Sequence, residues 1–183
     1  ADYKPAFLAG MKEQTAEIET IANNTEAPTF ENTIVALDNS GRLLSRVSHV
    51  FFGLKSSDTN DSIQALAEEL SPLLSEHNDN IYLNETLFNR IKTIHDDTTG
   101  LNITTEQYRL LDDYYKNFVR SGIMLSQTEK ERLREINKEL SALSLKFGNN
   151  LLKETNDYKL VIDKEVDLAG LPEGVIASAA DAA

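Results

Sequence analysis

The chain has 183 residues, with 30 Asp plus Glu against 18 Lys plus Arg and a formal net charge of −12. That length suits one domain with at most a short appendage, and 40% hydrophobic with 26% charged residues describes a globular chain able to bury a core without covalent staples. The acidic balance argues against nucleic-acid and anionic-membrane partners, which require clustered Lys and Arg, and zero Cys removes disulfides, thiolate metal sites and a cysteine nucleophile.

Helical periodicity dominates the chain. Pro5 is tolerated near the start of a first helix, whose apolar side carries Phe7, Met11, Ile18 and Ile21 and which ends at Asn23-Asn24-Thr25. Thr29 is a candidate N-cap for a second helix bearing Phe30, Ile34, Leu37, Gly41, Leu44, Val47 and Phe51. Gly41 on that stripe either admits a neighbouring helix or simply lowers helix propensity by about 1 kcal/mol. After a loop at 56–60, Ile63, Leu66, Leu70 and Leu73 mark a third helix that Pro72 should kink or restart. Asn84 caps a fourth, with Leu87, Phe88, Ile91 and Ile94, and a fifth carries Tyr108, Leu111, Tyr115 and Phe118 and ends near Gly122.

Ser126-Gln127-Thr128-Glu129 is a capping box at the head of the sixth and clearest helix. Leu133, Ile136, Leu140, Leu143, Phe147 and Leu151 form its stripe, and burying all six would contribute roughly 9–18 kcal/mol before entropy is subtracted. Tyr158–Ile162 reads as a strand. The expected fold is an all-α, antiparallel bundle of about six helices over residues 1–156. A strand and the start of a further helix would follow at 157–183.

The sequence offers few reactive groups. His49, His77 and His95 are too far apart for a His-x-x-x-His zinc pair. His49 falls on the polar side of the second helix with Asp38, Arg42 and Ser45. His77 continues the stripe of Ile63 and Leu70 as a hydrogen-bonded histidine at the core edge, and His95 sits in a last helical turn, where positive charge suits the dipole. Asp58, Asn60, Ser62 and Glu69 imitate a calcium loop, but Ile63 stands where that loop needs Gly. The Asp96-Asp97 and Asp112-Asp113 doublets read as solvated faces. The sequons at Asn23, Asn60, Asn84 and Asn102 are better read as helix-cap composition, since Asn, Ser and Thr cluster at caps anyway. No nucleophile elbow and no Gly-rich phosphate loop is present. The residues alone give no catalytic, cofactor-binding or metal-binding site.

Ala1-Asp2-Tyr3-Lys4-Pro5 is neither an initiator Met nor a signal peptide, and the last residues stop within an Ala-rich helical pattern. The expectation is therefore a fragment of a longer protein.

Several phrases, in order along the chain, carry a resemblance. They are Tyr3-Lys4-Pro5-Ala6-Phe7 with Gly10-Met11, Pro28-Thr29-Phe30-Glu31-Asn32-Thr33-Ile34 with Leu37 and Ser40-Gly41, and Thr59-Asn60-Asp61. Asn80-Ile81-Tyr82-Leu83-Asn84 with Leu87-Phe88, Phe118-Val119 with Ser121-Gly122, Leu145-Lys146-Phe147 with Asn150-Leu151-Leu152, and Leu168-Ala169-Gly170-Leu171-Pro172 complete the set. In that order they resemble the N-terminal region of the thimet oligopeptidase and neurolysin family of zinc peptidases, and within it the bacterial peptidyl-dipeptidases.

The resemblance implies a large two-lobed helical enzyme around a channel, with zinc on a His-Glu-x-x-His helix and a later Glu, and a water as nucleophile. That motif does not occur here, so no catalytic or metal residue carries over. The implied role is a channel-wall fragment, inactive alone, of a zinc peptidase that removes C-terminal dipeptides from short peptides. Its partners would be those peptides and the remainder of its own chain. Its expected location is the cytoplasm, with the periplasm as the alternative. A non-catalytic helical binding or scaffolding module is the competing reading.

Overall fold

Helix α1 (Tyr3–Ala22) sets Phe7, Gly10 and Met11 on one buried stretch and Ile18, Ile21 and Ala22 on a second. The computed structural model describes residues 2–97 and 102–182; Ala1 and Ala183, the ends of the sequence, lie outside them. By contacts the chain divides into two units, Ala1–Gly148 and Asn149–Ala183. All regular structure among the described residues is helical.

Thr29 caps the next element as expected. Its Oγ1 accepts from the Asn32 N–H at 3.1 Å, and Asn32 Oδ1 accepts from the Thr29 N–H at 2.8 Å. The chain then enters a π-helical segment, Phe30–Val35, followed by the single turn α2 (Ala36–Asp38). The single helix expected through Phe51 is broken here. Gly41 adopts φ +68°, a left-handed conformation that costs other residues about 1–2 kcal/mol. Its N–H donates to Glu17 Oε2 at 2.7 Å. Gly41 therefore ends one helix and starts another, α3 (Arg42–Ser57), instead of lying on a continuous stripe. The close helix approach is made by Gly10, where a Cβ would stand 2.8 Å from Leu44 Cα.

Asn60 caps α4 (Asp61–Tyr82), which continues through Pro72, and Asn84 caps α5 (Glu85–Asp96). Thr104 and Gln107 form a capping box on α6 (Thr105–Arg120), which ends just before Gly122 at φ +91°. Helix α7 (Gln127–Asp157) starts with Ser126 and Glu129 in the expected reciprocal contact.

Two apolar clusters fill the first unit. One gathers Ile18, Ile21, Phe30, Ile34, Leu87, Ile91, Leu111 and Phe118 from α1, the π-helical segment, α5 and α6. The other joins Phe7 and Met11 to Leu44, Phe51, Ala67 and Leu70. In it the Phe7 and Phe51 rings meet edge to face at 5.4 Å.

The stripe of α7 does not enter either core, which corrects the expectation that all six of its side chains are buried. Ile136, Leu140, Leu143, Phe147 and Leu151 are exposed, Phe147 by 70%. The face turned to the rest of the first unit is largely polar. Lys130 Nζ donates to Glu85 at 2.5 Å, Arg134 Nη1 to Asn80 at 2.7 Å, and Asn137 Nδ2 to Asp79 at 2.7 Å. Periodicity located the apolar face correctly, but the helix is seated on a different one.

The second unit holds the end of α7, a 3-10 turn at Glu165–Leu168 and α8 (Glu173–Ala182). The strand expected at Tyr158–Ile162 is absent. Those residues are neither helix nor strand, and Val161 is 80% exposed. The physical reason is that a strand exists only in a ladder, and the described residues contain no second strand to receive its donors and acceptors. No helix among the described residues is long and apolar enough to cross a membrane.

Candidate functional site

The first unit holds an open cleft of about 550 Å³, bordered by Gln14 of α1, Asp38 of α2, His77 of α4, Tyr114 of α6 and Ser141 of α7. Two polar pairs from distant parts of the sequence meet at its wall. Tyr114 Oη donates to Asp38 Oδ1 at 3.0 Å, and burial, reinforced by that carboxylate, pushes the phenol well above its ordinary value. His77 Nε2 lies 2.8 Å from Gln14 Oε1, so that nitrogen is the donor. Burial holds His77 below its ordinary value, which keeps the ring neutral at pH 7. The cleft thus presents a carboxylate edge, a neutral imidazole and several hydroxyls, groups suited to holding a polar chain segment.

The other sequence-singled residues have local roles. His49 Nδ1 stands 2.8 Å from the Ser45 carbonyl oxygen, so it carries the proton there. The Ser45 hydroxyl, 3.3 Å from the same nitrogen, therefore finds no base in it. His95 stacks on Tyr115 at 3.9 Å and lies 3.5 Å from Asp112. Asp112 is held below the usual carboxylate range first by Lys116 and further by His95. Of the calcium-like set, Asn60 caps α4, Ile63 belongs to that helix, and Glu69 pairs with Lys4. Among the described residues no three His, Cys, Asp or Glu side chains gather closely enough to hold a metal ion.

Sequence reasoning missed the Asp38–Tyr114 pair and two buried polar residues, Asp79 and Arg90. Asp79 is pushed up by burial, a shift opposed by the Asn137 hydrogen bond and the Arg134 charge. No local pattern marks these residues, because their hydrogen-bond partners stand 58 or more residues away.

His77 and Asp79 give opposite pH dependences. The unfolded chain protonates His77 near 6.5 and the folded chain only below that, so this stability is lost as pH falls from 6.5 toward the depressed folded value. Folded Asp79 keeps a proton that the unfolded chain releases near 3.8, so stability is lost as pH rises from there through the raised value. Asp79→Asn retains an oxygen for Asn137 and removes the second effect. Its thermal midpoint should equal or exceed that of the parent chain at pH 7, with the advantage shrinking toward pH 4. Melting curves across that range check the sign.

No family model matches the chain. Over 181 residues, 99% of its length, it is 40% identical to the dipeptidyl carboxypeptidase of Escherichia coli (strain K12), of which it covers 27%. The Salmonella typhimurium dipeptidyl carboxypeptidase is 39% identical over the same share of each chain. Oligopeptidase A of Escherichia coli is 28% identical over 96% of this chain and 26% of its own length. The chain spans about a quarter of the length of the curated relatives it matches.

Proposed function

From a chain related over nearly its whole length to one part of the dipeptidyl carboxypeptidases and oligopeptidases A, we propose that it is the N-terminal helical, channel-wall portion of a zinc-dependent oligopeptidase. The whole enzyme releases dipeptides from the C-terminus of short peptides. The observation that supports this most is the 40% identity across 99% of the chain to a dipeptidyl carboxypeptidase.

The described residues do not fit zinc, since no ligand cluster is present among them. In this reading the metal and its catalytic residues belong to the portion of the parent beyond this stretch, and the chain contributes no catalytic or metal-binding side chain. The bundle would limit access to flexible peptides.

Assaying the longer polypeptide against blocked and free short peptides tests the reading. It should release C-terminal dipeptides, lose the activity to a chelator and regain it with zinc, whereas the 183-residue chain alone should release none. A zinc-loaded longer protein inactive on every short peptide would instead favour the scaffolding module.

A further inference from the structure

Helix α7 is amphipathic in the unexpected direction. At about 100° per residue, Lys130, Arg134, Asn137, Ser141 and Leu145 share one side. Four of these are polar, and three are hydrogen-bonded to Glu85, Asn80 and Asp79. Ile136, Leu140, Leu143 and Phe147 fall within an arc of roughly 60° centred about 130° around the helix from that side, and all four are exposed. Their spacing of four, three and four residues is that of a knobs-into-holes helix seam. A solvated face of such regularity has no use in water, where each apolar side chain forgoes on the order of 1.5–3 kcal/mol of burial.

We propose that this stripe, from Ile136 to Phe147, is the seam on which an apolar helical face of the remaining parent polypeptide packs. The inference rests on the relation to longer peptidases, because the chain covers only 27% of the dipeptidyl carboxypeptidase it matches and leaves most of such a protein to supply the partner. The size of the stripe favours a tethered occupant over a second copy of this chain. Four partly exposed apolar side chains offer on the order of 400 Å². A stable dimer of separate molecules needs about 800 Å² from each partner. A covalently continuous partner meets the stripe at high effective concentration and avoids most of the entropic cost of association.

The chain contains no Cys, so Leu143→Cys places a single reporter thiol on the seam. N-ethylmaleimide should label Cys at this position at the rate of a free thiol in the 183-residue chain, and at least about tenfold more slowly in the longer polypeptide, read by peptide mass spectrometry. Equal rates in the two would overturn the proposal. Slow labelling in the short chain with a concentration-dependent dimer in sedimentation would also overturn it, by making a second copy the occupant. Carbene footprinting of Phe147 in the unsubstituted proteins gives the same comparison should the variant fold poorly. The result separates from the enzymatic reading: an active longer protein with a freely reactive thiol defeats the seam alone, and an inactive one with a protected thiol defeats the peptidase reading alone.

Discussion

Replacing Arg90 with alanine should lower stability by about 2–4 kcal/mol. Arg90 is only 7% exposed, and its guanidinium faces backbone and amide oxygens in place of a carboxylate. Nη1 donates to the carbonyls of Asn24 at 2.7 Å and Glu26 at 3.0 Å, and Nη2 donates to Asn32 Oδ1 at 2.9 Å. Asn32 also closes the Thr29 capping box and donates to the Ala27 carbonyl at 3.0 Å. One side chain of α5 therefore holds the whole connection between α1 and the π-helical segment. Truncation would take the donor from two part-buried carbonyls and one of the donors from Asn32 Oδ1, which keeps the Thr29 N–H, and an acceptor left unpaired is the expensive half of hydrogen-bond energetics. Arg90→Lys should recover only part of the loss, because a compact ammonium on a single stem cannot reproduce the planar fork. Urea unfolding of the two variants measures both statements, and a loss below about 1 kcal/mol for alanine would show that water replaces the guanidinium.

Phe118→Ala should cost a similar amount, about 3–5 kcal/mol, through a different cause. The Phe118 side chain is fully buried, with its ring 5.0 Å from that of Tyr82 and 5.9 Å from that of Phe88. Removing it opens a cavity among α4, α5 and α6 whose walls are aromatic rings fixed by their own neighbours. Phe118→Leu fills most of the volume and should lose less than about 1.5 kcal/mol. Denaturant titration should show the midpoint falling with an unchanged slope in both variants; a changed slope would mean that the substitution alters compactness instead of core packing.

What the sequence reveals here depends on how far apart the interacting groups lie. Thr29, Asn84 and Ser126 are legible as caps because each acts on a backbone N–H three residues away, whereas Asn60 is one of several possible caps in its loop. His77 was legible as a core-edge histidine from the apolar spacing around it, although its partner Gln14 was not, being 63 residues distant. Arg90 gave no signal, since an Arg in an amphipathic helix normally faces solvent. Helix α7 shows the limit of periodicity itself: the pattern states where the apolar side lies and leaves open which side the rest of the molecule occupies. The strand expected at Tyr158–Ile162 failed for a related reason, because strand composition is a property of a segment and a strand is a property of a pair. The candidate cleft was invisible for the same cause, as Asp38 and Tyr114 stand 76 residues apart.

Helix α1 contributes to both apolar clusters, giving Phe7 and Met11 to one and Ile18, Ile21 and Ala22 to the other. A rigid rod shared in this way cannot leave one cluster while remaining in the other. Its displacement strips both at once, so the two halves of the first unit behave as one cooperative folding block. The amide protons at the middle of α1 should then exchange with solvent only through global unfolding, while those near the ends of α6 are released by smaller openings. Helix α1 is thus the last part of the first unit to come apart.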